Sequence, residues 1–326
     1  MNYRIGSFNL KNFGAYADFD TADSQRRDFD KIAQIIHEED LDIVAFQEIL
    51  GEGKGLKRLL EQYVQSPWRP WDFCWASPRE SSDPTKCGKD LRGEGYAYIW
   101  NKRKFRKSAS QSILADENAR FEPRILNSLS NDVNVDCSIF ARTPYYLRLE
   151  PCYGGFFELR FLNVHIYYGS ALLSDVQKRK VEYDLLVQEI YPRIAQQRYG
   201  NFRPAYTIAL GDYNLNMCLF SPGRRDCLTA TYSQANYQVR TIQEQLSTLR
   251  KPAGPQAGPR RTAPLINKNE QLANNYDHFS YSPEQSPFEV VSCRTIDAVS
   301  KYCGGDYSYY YEHISDHLPV LMEIEI

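Results

Sequence analysis

Residues 41–48 read LDIVAFQE, a short apolar run that ends in two polar residues. Such a run is typical of a buried strand. Upstream, Tyr3–Phe8 predicts another strand, which ends at the polar Asn9. Between the two strands, Ser24–Glu39 predicts a helix, because its apolar residues recur on one face. This β-α-β start predicts an α/β protein, in which ligands gather at the carboxyl ends of the strands.

The same patterns continue along the chain. Helices are predicted at Lys54–Val64 and Ser174–Gln197, the second of them kinked or ended by Pro192. Further strands are predicted at Tyr96–Trp100, Ser138–Arg142, Tyr145–Leu149, Phe156–His165, Tyr206–Leu210, Tyr276–Tyr281, Phe288–Ser292 and Leu318–Ile324. We therefore expect one domain over residues 1–326, with a flexible loop rich in Pro, Gly and Arg near residues 251–264.

The composition is that of an ordinary globular protein. Of the 326 residues, 42% are hydrophobic and 25% are charged, which argues against global disorder. The formal net charge of −2 argues against a uniformly basic nucleic-acid-binding protein, although a local basic face stays open. No apolar run is long enough to span a bilayer, and the N-terminus shows no signal-peptide pattern. We therefore expect a cytoplasmic location, with export by a leaderless route left open.

The eight cysteines leave the redox state open. None of them forms a CxxC pair, so a structural zinc site is not expected. The close pairs Cys218/Cys227 and Cys293/Cys303 permit disulfides, and reduced thiols are the alternative interpretation.

Short polar clusters lie at five positions where a strand is predicted to end or a closing strand to begin. They are Asn9, Glu48, Asn163-Val164-His165, Asp212-Tyr213-Asn214 and Ser315-Asp316-His317. Each cluster alone has a structural explanation, since Asp and Asn stabilise turns and a lone histidine is usually a packing residue. In combination they supply the hard oxygen ligands that Mg²⁺ or Mn²⁺ prefers, and two histidines that can move protons near neutral pH. The combination favours metal-assisted phosphoryl chemistry.

A series of motifs resembles the endonuclease/exonuclease/phosphatase superfamily and, within it, the pancreatic deoxyribonuclease type. The motifs are SFNLKNFG (7–14), DIVAFQEI (42–49), GEGYAYIW (93–100), IFARTPYY (139–146), FLNVHI (161–166), ALGDYNLN (209–216), NNYDHFSYS (274–282) and ISDHLPV (314–320). They follow the family's order and cover nearly the whole chain. The resemblance implies a four-layer α/β/β/α sandwich, in which two mixed β-sheets are flanked by helices.

The resemblance also implies a metal site that holds Mg²⁺ or Mn²⁺, with a structural Ca²⁺ as a further candidate. Glu48 would be the principal ligand, with Asn9 and Asp316 nearby. Asp212 and Asn214 would position the attacking water, the phosphate or a second ion.

Two histidine-carboxylate dyads follow from the same resemblance. His317 would be the general base or a charge stabiliser, oriented by Asp277. His165 would be the general acid or a phosphate donor, paired with Glu94. A carboxylate bonded to one ring nitrogen fixes the tautomer and supports the protonated form of the ring.

Positions beside these dyads bear on the choice of substrate. Arg142 matches a phosphate-binding arginine of the deoxyribonuclease type, and an arginine can bind a phosphate through two parallel hydrogen bonds. Leu50 stands where that type has an arginine used in the minor groove, and Lys54 is a nearby substitute. Arg92 stands where it has a tyrosine. The surface that would bind a duplex is therefore altered.

Three functions are consistent with these residues. The first is a metal-dependent endonuclease that hydrolyses DNA, acting as a monomer and with nucleic acid as its partner. The second is a phosphodiesterase or phosphatase acting on RNA, nucleotides or phospholipid head groups. The third is a catalytically silent nucleic-acid-binding module. An intracellular nuclease would threaten its own host, so an inhibitor or immunity protein is a further candidate partner.

Overall fold

The computed structural model describes residues 1–14, 27–50, 53–76, 94–109, 124–126, 139–199, 203–217, 225–234, 237–251 and 271–326. The predicted loop near residues 251–264 lies outside these ranges apart from Lys251. One domain over residues 1–326 therefore stays a prediction.

The strands of the described ranges form two large mixed sheets and one small pair. They are β1 (Asn2–Phe13), β2 (Ile43–Ile49), β3 (Trp71–Ala76), β4 (Gly95–Asn101), β5 (Phe105–Lys107), β6 (Arg124–Ile125), β7 (Tyr145–Pro151), β8 (Glu158–His165), β9 (Ala205–Asp212), β10 (Asn216–Met217), β11 (Cys227–Leu228), β12 (Thr231–Gln234), β13 (Tyr237–Ile242), β14 (Asp277–Tyr281), β15 (Glu289–Thr295) and β16 (Val320–Glu325). The first sheet has the order β15-β16-β1-β2-β4-β3. The second has the order β12-β13-β14-β9-β8-β7-β5, with β6 beside β7.

The described ranges contain six α-helices, two of which continue into a π-helical segment. They are α1 (Phe29–Glu38), α2 (Lys54–Leu59) with a π-helical continuation (Leu60–Val64), α3 (Leu173–Leu185) with a π-helical continuation (Leu186–Ile190) into α4 (Tyr191–Gln196), α5 (Ala298–Tyr302) and α6 (Tyr307–His313).

Alternation along the strands separates three apolar cores. In β2, Ile43 and Ala45 face the second sheet, whereas Val44 and Phe46 pack in the core that also holds α1. In β8, Phe161 faces the first sheet, whereas Leu162 and Val164 pack in the core that holds the π-helical continuation of α3. Successive side chains of a strand point to opposite faces, so each sheet buries both of its faces. The predicted four-layer α/β/β/α sandwich is confirmed.

The helix α1 begins later than the sequence pattern predicts. Its first residue is Phe29, and the side chain of Asp28 caps it by accepting a hydrogen bond of 2.9 Å from the backbone N–H of Lys31. A cap of this kind fixes the start of a helix. The first predicted residues, 24–26, lie outside the described ranges.

One predicted strand is wrong in its described part. Residues 139–142 form a turn rather than part of the strand Ser138–Arg142. The backbone N–H of Ala141 donates to the carboxylate of Glu182, at 3.0 Å, and is therefore not available to a neighbouring strand.

The hydrogen bonding of the long helix changes just before Pro192. Proline has no N–H, so the carbonyl of Gln188 loses its usual helical donor. The hydroxyl of Tyr237 donates to that carbonyl at 3.0 Å and to the carbonyl of Val187 at 3.2 Å. The π-helical segment Leu186–Ile190 lies at this point, and the helix then continues as α4 instead of ending.

Cysteine chemistry differs between the two candidate pairs. Cys293 and Cys303 are free thiols, so the bridge that their spacing permits is not formed. Cys227 is disulfide-bonded, and Cys218 lies outside the described ranges. Within the described ranges, no helix is both long and apolar enough to cross a membrane.

A buried carboxylate joins α1 to the last third of the chain. Glu39 accepts hydrogen bonds from Arg294 and Lys301, both at 2.7 Å, and from the Tyr302 hydroxyl at 2.8 Å. Burial raises the pKa of Glu39, but the hydrogen bonds from Lys301, Arg294 and Tyr302 lower it by more. The net result is a pKa of about 2.

We predict that Glu39→Gln lowers the free energy of unfolding at pH 7 by about 1–2 kcal/mol, because the charged acceptor of three hydrogen bonds is lost. The loss is modest because the two cations are only half buried. A carboxylate with a depressed pKa stabilises the fold above pH 4.5, and this stabilisation is lost as the pH falls toward 2. Urea unfolding across this range should therefore be less pH-dependent in the variant. Glu38→Gln, at an exposed neighbour, is the control, and equal pH dependence in all three proteins would contradict the prediction.

Candidate active site

The register of the second sheet places three predicted site residues side by side. In the ladder, His165 at the end of β8 pairs with Asp212 at the end of β9, and Asp212 pairs with Asp277 at the start of β14. Gly211 makes this close approach possible. A Cβ on Gly211 would lie 2.0 Å from the carbonyl oxygen of Val164, and its φ of 143° is one that other residues rarely adopt.

The first sheet contributes Asn9 and Glu48 to the same edge. Glu48 lies at an irregularity in the pairing of β2 with both of its neighbours, and its φ is 61°. A non-glycine residue in this left-handed conformation is strained, and such strain concentrates at functional sites. The carboxylate accepts bonds from the Asn9 side chain at 3.0 Å and from the Asn12 N–H at 2.8 Å. The bulge therefore aims Glu48 into the cleft.

Two buried amides connect the sheets directly beneath these residues. The side chain of Gln47 donates to Asn163 Oδ1 at 2.7 Å, and Asn163 donates to the carbonyls of Phe46 and Ala97. Asn9 adds a second connection by donating to Asp212 Oδ2 at 3.1 Å. The two halves of the site are thus held in one fixed arrangement.

Asp212 lies between the two histidines. Its Oδ2 atom is 3.6 Å from His165 Nε2 and 3.5 Å from His317 Nε2. His317 Nδ1 is 2.8 Å from Asp277 Oδ2, so this predicted dyad is present as a hydrogen bond. The Ser315 hydroxyl donates to the carbonyl of Asn9 and accepts from the His317 N–H, which ties the histidine to β1.

The two histidines have opposite electrostatic environments. Burial lowers the pKa of His317, but the carboxylates of Asp277 and Asp212 raise it more, so the pKa lies well above its usual value. Burial lowers the pKa of His165 well below its usual value, and Arg142 and His317 lower it further. These environments favour the protonated form of His317 and the neutral form of His165.

The second predicted dyad is looser than the first. Glu94 Oε2 lies 3.7 Å from His165 Nδ1, which is too long for a hydrogen bond, and 2.6 Å from Arg142 Nη2. The hydroxyl of Tyr96 accepts from the His165 N–H at 3.1 Å and donates to the Arg142 carbonyl at 3.2 Å. Glu94 thus lies beside His165, as the pairing requires, but its short contact is with Arg142.

Asn214 and Asp316 also line the cleft, and each has a structural contact. Asn214, with a φ of 49°, donates its side-chain amide to the Ile166 carbonyl at 2.8 Å and its backbone N–H to Asp212 Oδ1 at 2.9 Å. Asp316 Oδ2 is 3.5 Å from Lys11 Nζ. Lys11 thus adds positive charge beside the predicted ligands.

The donor set fits a hard divalent cation. Glu48, Asp212 and Asp316 all line one cleft of about 610 Å³. Carboxylates gathered in this way repel one another unless a cation or proton lies among them, and their oxygens are what Mg²⁺ and Mn²⁺ prefer. Ligand atoms of Glu48, Glu94 and His165 also lie within 4.8 Å of one another. Asn9 as a ligand stays a prediction, since its oxygen accepts the Lys11 N–H here.

Several residues at this site carry no motif that the sequence analysis could use. Glu182 of α3 is buried and accepts from the N–H groups of Ala141 and Tyr167, at 3.0 and 3.1 Å. It therefore fixes the turn before Arg142 and the loop after His165. Tyr168 lines the cleft wall as well, and so does Tyr276, which lies in the motif NNYDHFSYS (274–282) but had no predicted role. Only the fold reveals these neighbours, because they come from separate parts of the chain.

Comparison with solved structures agrees with the fold. One match is an endonuclease/exonuclease/phosphatase family protein from Bacteroides thetaiotaomicron, with 17% identity and a TM-score of 0.52 over 99% of this chain and 95% of that chain. This chain has the endonuclease/exonuclease/phosphatase fold. ANGEL2, a 2',3'-cyclic phosphatase in complex with adenosine-2',3'-vanadate, matches with 13% identity and a TM-score of 0.55 over 99% and 95% of the two chains.

A third structure with the endonuclease/exonuclease/phosphatase fold is D. rerio TDP2 complexed with single strand DNA product. It matches with 14% identity and a TM-score of 0.53 over 100% of this chain and 99% of that chain. No protein-family model matches the sequence, and no curated protein does. The fold is thus shared at low identity, and the chemistry has to be argued from the site itself.

We predict that Asp277→Asn lowers the pKa of His317, because the largest favourable charge beside the ring is removed. In chelator-treated protein, NMR titration of the imidazole should show a proton retained through neutral pH in the parent and lost there in the variant. The raised pKa stabilises the parent fully below pH 6.5, and this stabilisation is lost as the pH rises through the folded pKa. Phosphodiesterase activity should fall about 10- to 100-fold. An unchanged titration would contradict the assignment.

We predict that Glu182→Gln reduces activity although Glu182 lies outside the described cleft lining. The amide has one acceptor oxygen, so one of the two buried N–H groups loses its partner at a cost of about 1–3 kcal/mol. Activity and the midpoint of thermal unfolding should both fall. Asp184→Asn, at an exposed carboxylate on the same helix, is the matched control. Equal activity in both variants would show that Glu182 does not position the two loops.

Proposed function

We propose that this protein is a metal-dependent phosphodiesterase that hydrolyses nucleic acid, with DNA cleaved endonucleolytically as the leading substrate. The observation that carries the proposal is the position of Asp212 between His165 and His317, with Glu48 held across from it by Asn9. These groups share a cleft with Arg142. General acid-base groups and anion-binding groups at this spacing suit phosphoryl transfer.

Each residue has a definite task in this proposal. Arg142, positioned by Glu94, binds a non-bridging phosphate oxygen. Protonated His317 stabilises negative charge as it develops, which favours the second of its two predicted roles over the general base. Neutral His165 can donate one N–H to the phosphate. Asp212 is placed to hold the attacking water.

The implied metal fits the carboxylate end of the cleft. Glu48 and Asp316 would hold Mg²⁺ or Mn²⁺, with the structural Ca²⁺ left as a prediction. When bound, such an ion neutralises charge on the phosphate oxygens and lowers the pKa of a bound water. Lys11, 3.5 Å from Asp316, supplies positive charge to the same carboxylates and is placed to be displaced by the ion.

The solved structures that share this fold support a nucleic-acid substrate, but they do not decide which nucleic acid it is. D. rerio TDP2 is complexed with single strand DNA product, and ANGEL2 is a 2',3'-cyclic phosphatase. Leu50 lies where the deoxyribonuclease type has its minor-groove arginine, which favours keeping RNA, nucleotides and phospholipid head groups as second candidates. A silent binding module, a monomeric state, a cytoplasmic location and an inhibitor partner stay predictions.

A cleavage assay tests the proposal. Supercoiled DNA, single-stranded DNA, RNA and a phosphate monoester are incubated with Mg²⁺, with Mn²⁺ or with EDTA. We expect cleavage of a nucleic acid that EDTA abolishes, and a fall of about 10²- to 10⁴-fold in His165→Ala and in His317→Ala. His37→Ala, on α1, is the matched control. Full activity of either site variant would refute the mechanism, and faster turnover of the monoester would favour a phosphatase.

A further inference from the structure

An exposed tyrosine lies on the wall of the cleft, three residues beyond His165. Tyr168 lines the cleft and retains 47% of its surface exposed. The ring of Tyr276, from the chain that leads into β14, lies 6.3 Å from it at an angle of 55°. Two neighbouring aromatic rings therefore line the cleft that contains the groups that would bind a phosphate. Neither ring has a role in the proposed chemistry.

A buried arginine holds the exposed ring in place. The guanidinium carbon of Arg179 lies 4.9 Å from the centre of the Tyr168 ring. Arg179 is 1% exposed and donates to the Asn214 carbonyl at 3.0 Å and to the Ser170 carbonyl. The cation is thus fixed both to the site loop after β9 and to the loop that carries Tyr168. A cation over an aromatic face stabilises the ring, so this contact favours one position of the Tyr168 ring before any ligand binds.

An ordered, exposed ring beside a phosphate site suits one class of ligand. Nucleobases stack on aromatic side chains, and such stacking does not require a particular base. A base that is paired in a duplex has both faces covered by its neighbours, whereas an unpaired base can present a face to a protein. The same cleft is also lined by Asn274 and Thr248, whose polar groups can contact a sugar or base edge.

We propose that Tyr168, backed by Arg179 and flanked by Tyr276, is a stacking site for an unpaired nucleobase next to the scissile phosphate. This inference rests on the proposed function and narrows its substrate class to single-stranded nucleic acid or nucleotide esters. Arg142 anchors the phosphate, and Tyr168 binds the base attached to it. A duplex would need to unpair that base before it could occupy the site.

A binding experiment in EDTA tests the site without requiring turnover. Two fluorescein-labelled probes are used: a short single-stranded oligothymidylate, and the same backbone with abasic tetrahydrofuran units. Fluorescence anisotropy gives the ratio of the two dissociation constants for each protein. We expect the parent to prefer the base-bearing strand. Tyr168→Ala should weaken binding of that strand by about 5- to 100-fold, so that the ratio approaches one.

Two further variants separate stacking from other roles. Tyr168→Phe keeps the ring and should keep the base preference. Tyr153→Ala removes a tyrosine that is 83% exposed in the β7–β8 hairpin, at the other end of β8 from His165, and should also keep it. Equal weakening of both probes by Tyr168→Ala, or a loss of preference in Tyr168→Phe, would overturn the proposal. A thermal unfolding midpoint within the range of the controls shows that Tyr168→Ala is folded.

The two proposals fail in different ways. If the parent prefers the base-bearing probe but cleaves no phosphodiester with Mg²⁺ or Mn²⁺, the phosphodiesterase proposal fails and the stacking site stands. If the parent cleaves nucleic acid but binds both probes equally, the stacking site is wrong and the phosphodiesterase proposal stands. Cleavage of a duplex faster than the matching single strand would also contradict the stacking site.

Discussion

The site depends on one backbone constraint, the pairing of β8, β9 and β14 at their ends. Parallel and antiparallel ladders fix which residues are neighbours, and a shift by one residue would move every side chain to the opposite face. Here the ladder places Asp212 between His165 and Asp277. Gly211 is essential to this register, since any side chain there would meet the carbonyl oxygen of Val164. The spacing of His165, Asp212 and Asp277 is therefore a property of the sheet.

A sandwich adds a second requirement, because half of the site comes from the other sheet. The bond from Gln47 to Asn163 and the bond from Asn9 to Asp212 cross between the sheets at this edge. Buried polar groups of this kind are costly when unpaired, so both sheets must hold one relative position for the bonds to form. The strained backbone of Glu48 is offset by the two hydrogen bonds that its carboxylate accepts. The Asn9 side chain thus donates both to the strained Glu48 and, across the sheets, to Asp212.

Sequence patterns predicted the strand ends but not what the side chains do there. Apolar runs followed by polar residues located the ends of β8 and β9 at His165 and Asp212, and Glu48 one residue before the end of β2, because the period of a strand is local. The first strand was predicted to end at Asn9, but β1 continues to Phe13. The turn at residues 139–142 could not be predicted in this way, because the N–H of Ala141 donates to Glu182, which lies on a helix distant in sequence. In the same way, no spacing shows that Glu94 makes its short contact with Arg142. Long-range polar pairing is decided by the packed fold, which a single sequence does not display.

The two histidines of the site lie in unequal electrostatic environments, which shift their pKa values in opposite directions. Burial lowers the pKa of both rings, but the carboxylates of Asp277 and Asp212 raise the pKa of His317 by more, whereas Arg142 and His317 lower the pKa of His165 further. Like charges that close cannot both be stabilised, so one ring holds a proton at the expense of the other. Burial is the largest cause of the low pKa of His165, and the ion pair with Glu94 holds the Arg142 guanidinium that lowers this pKa further.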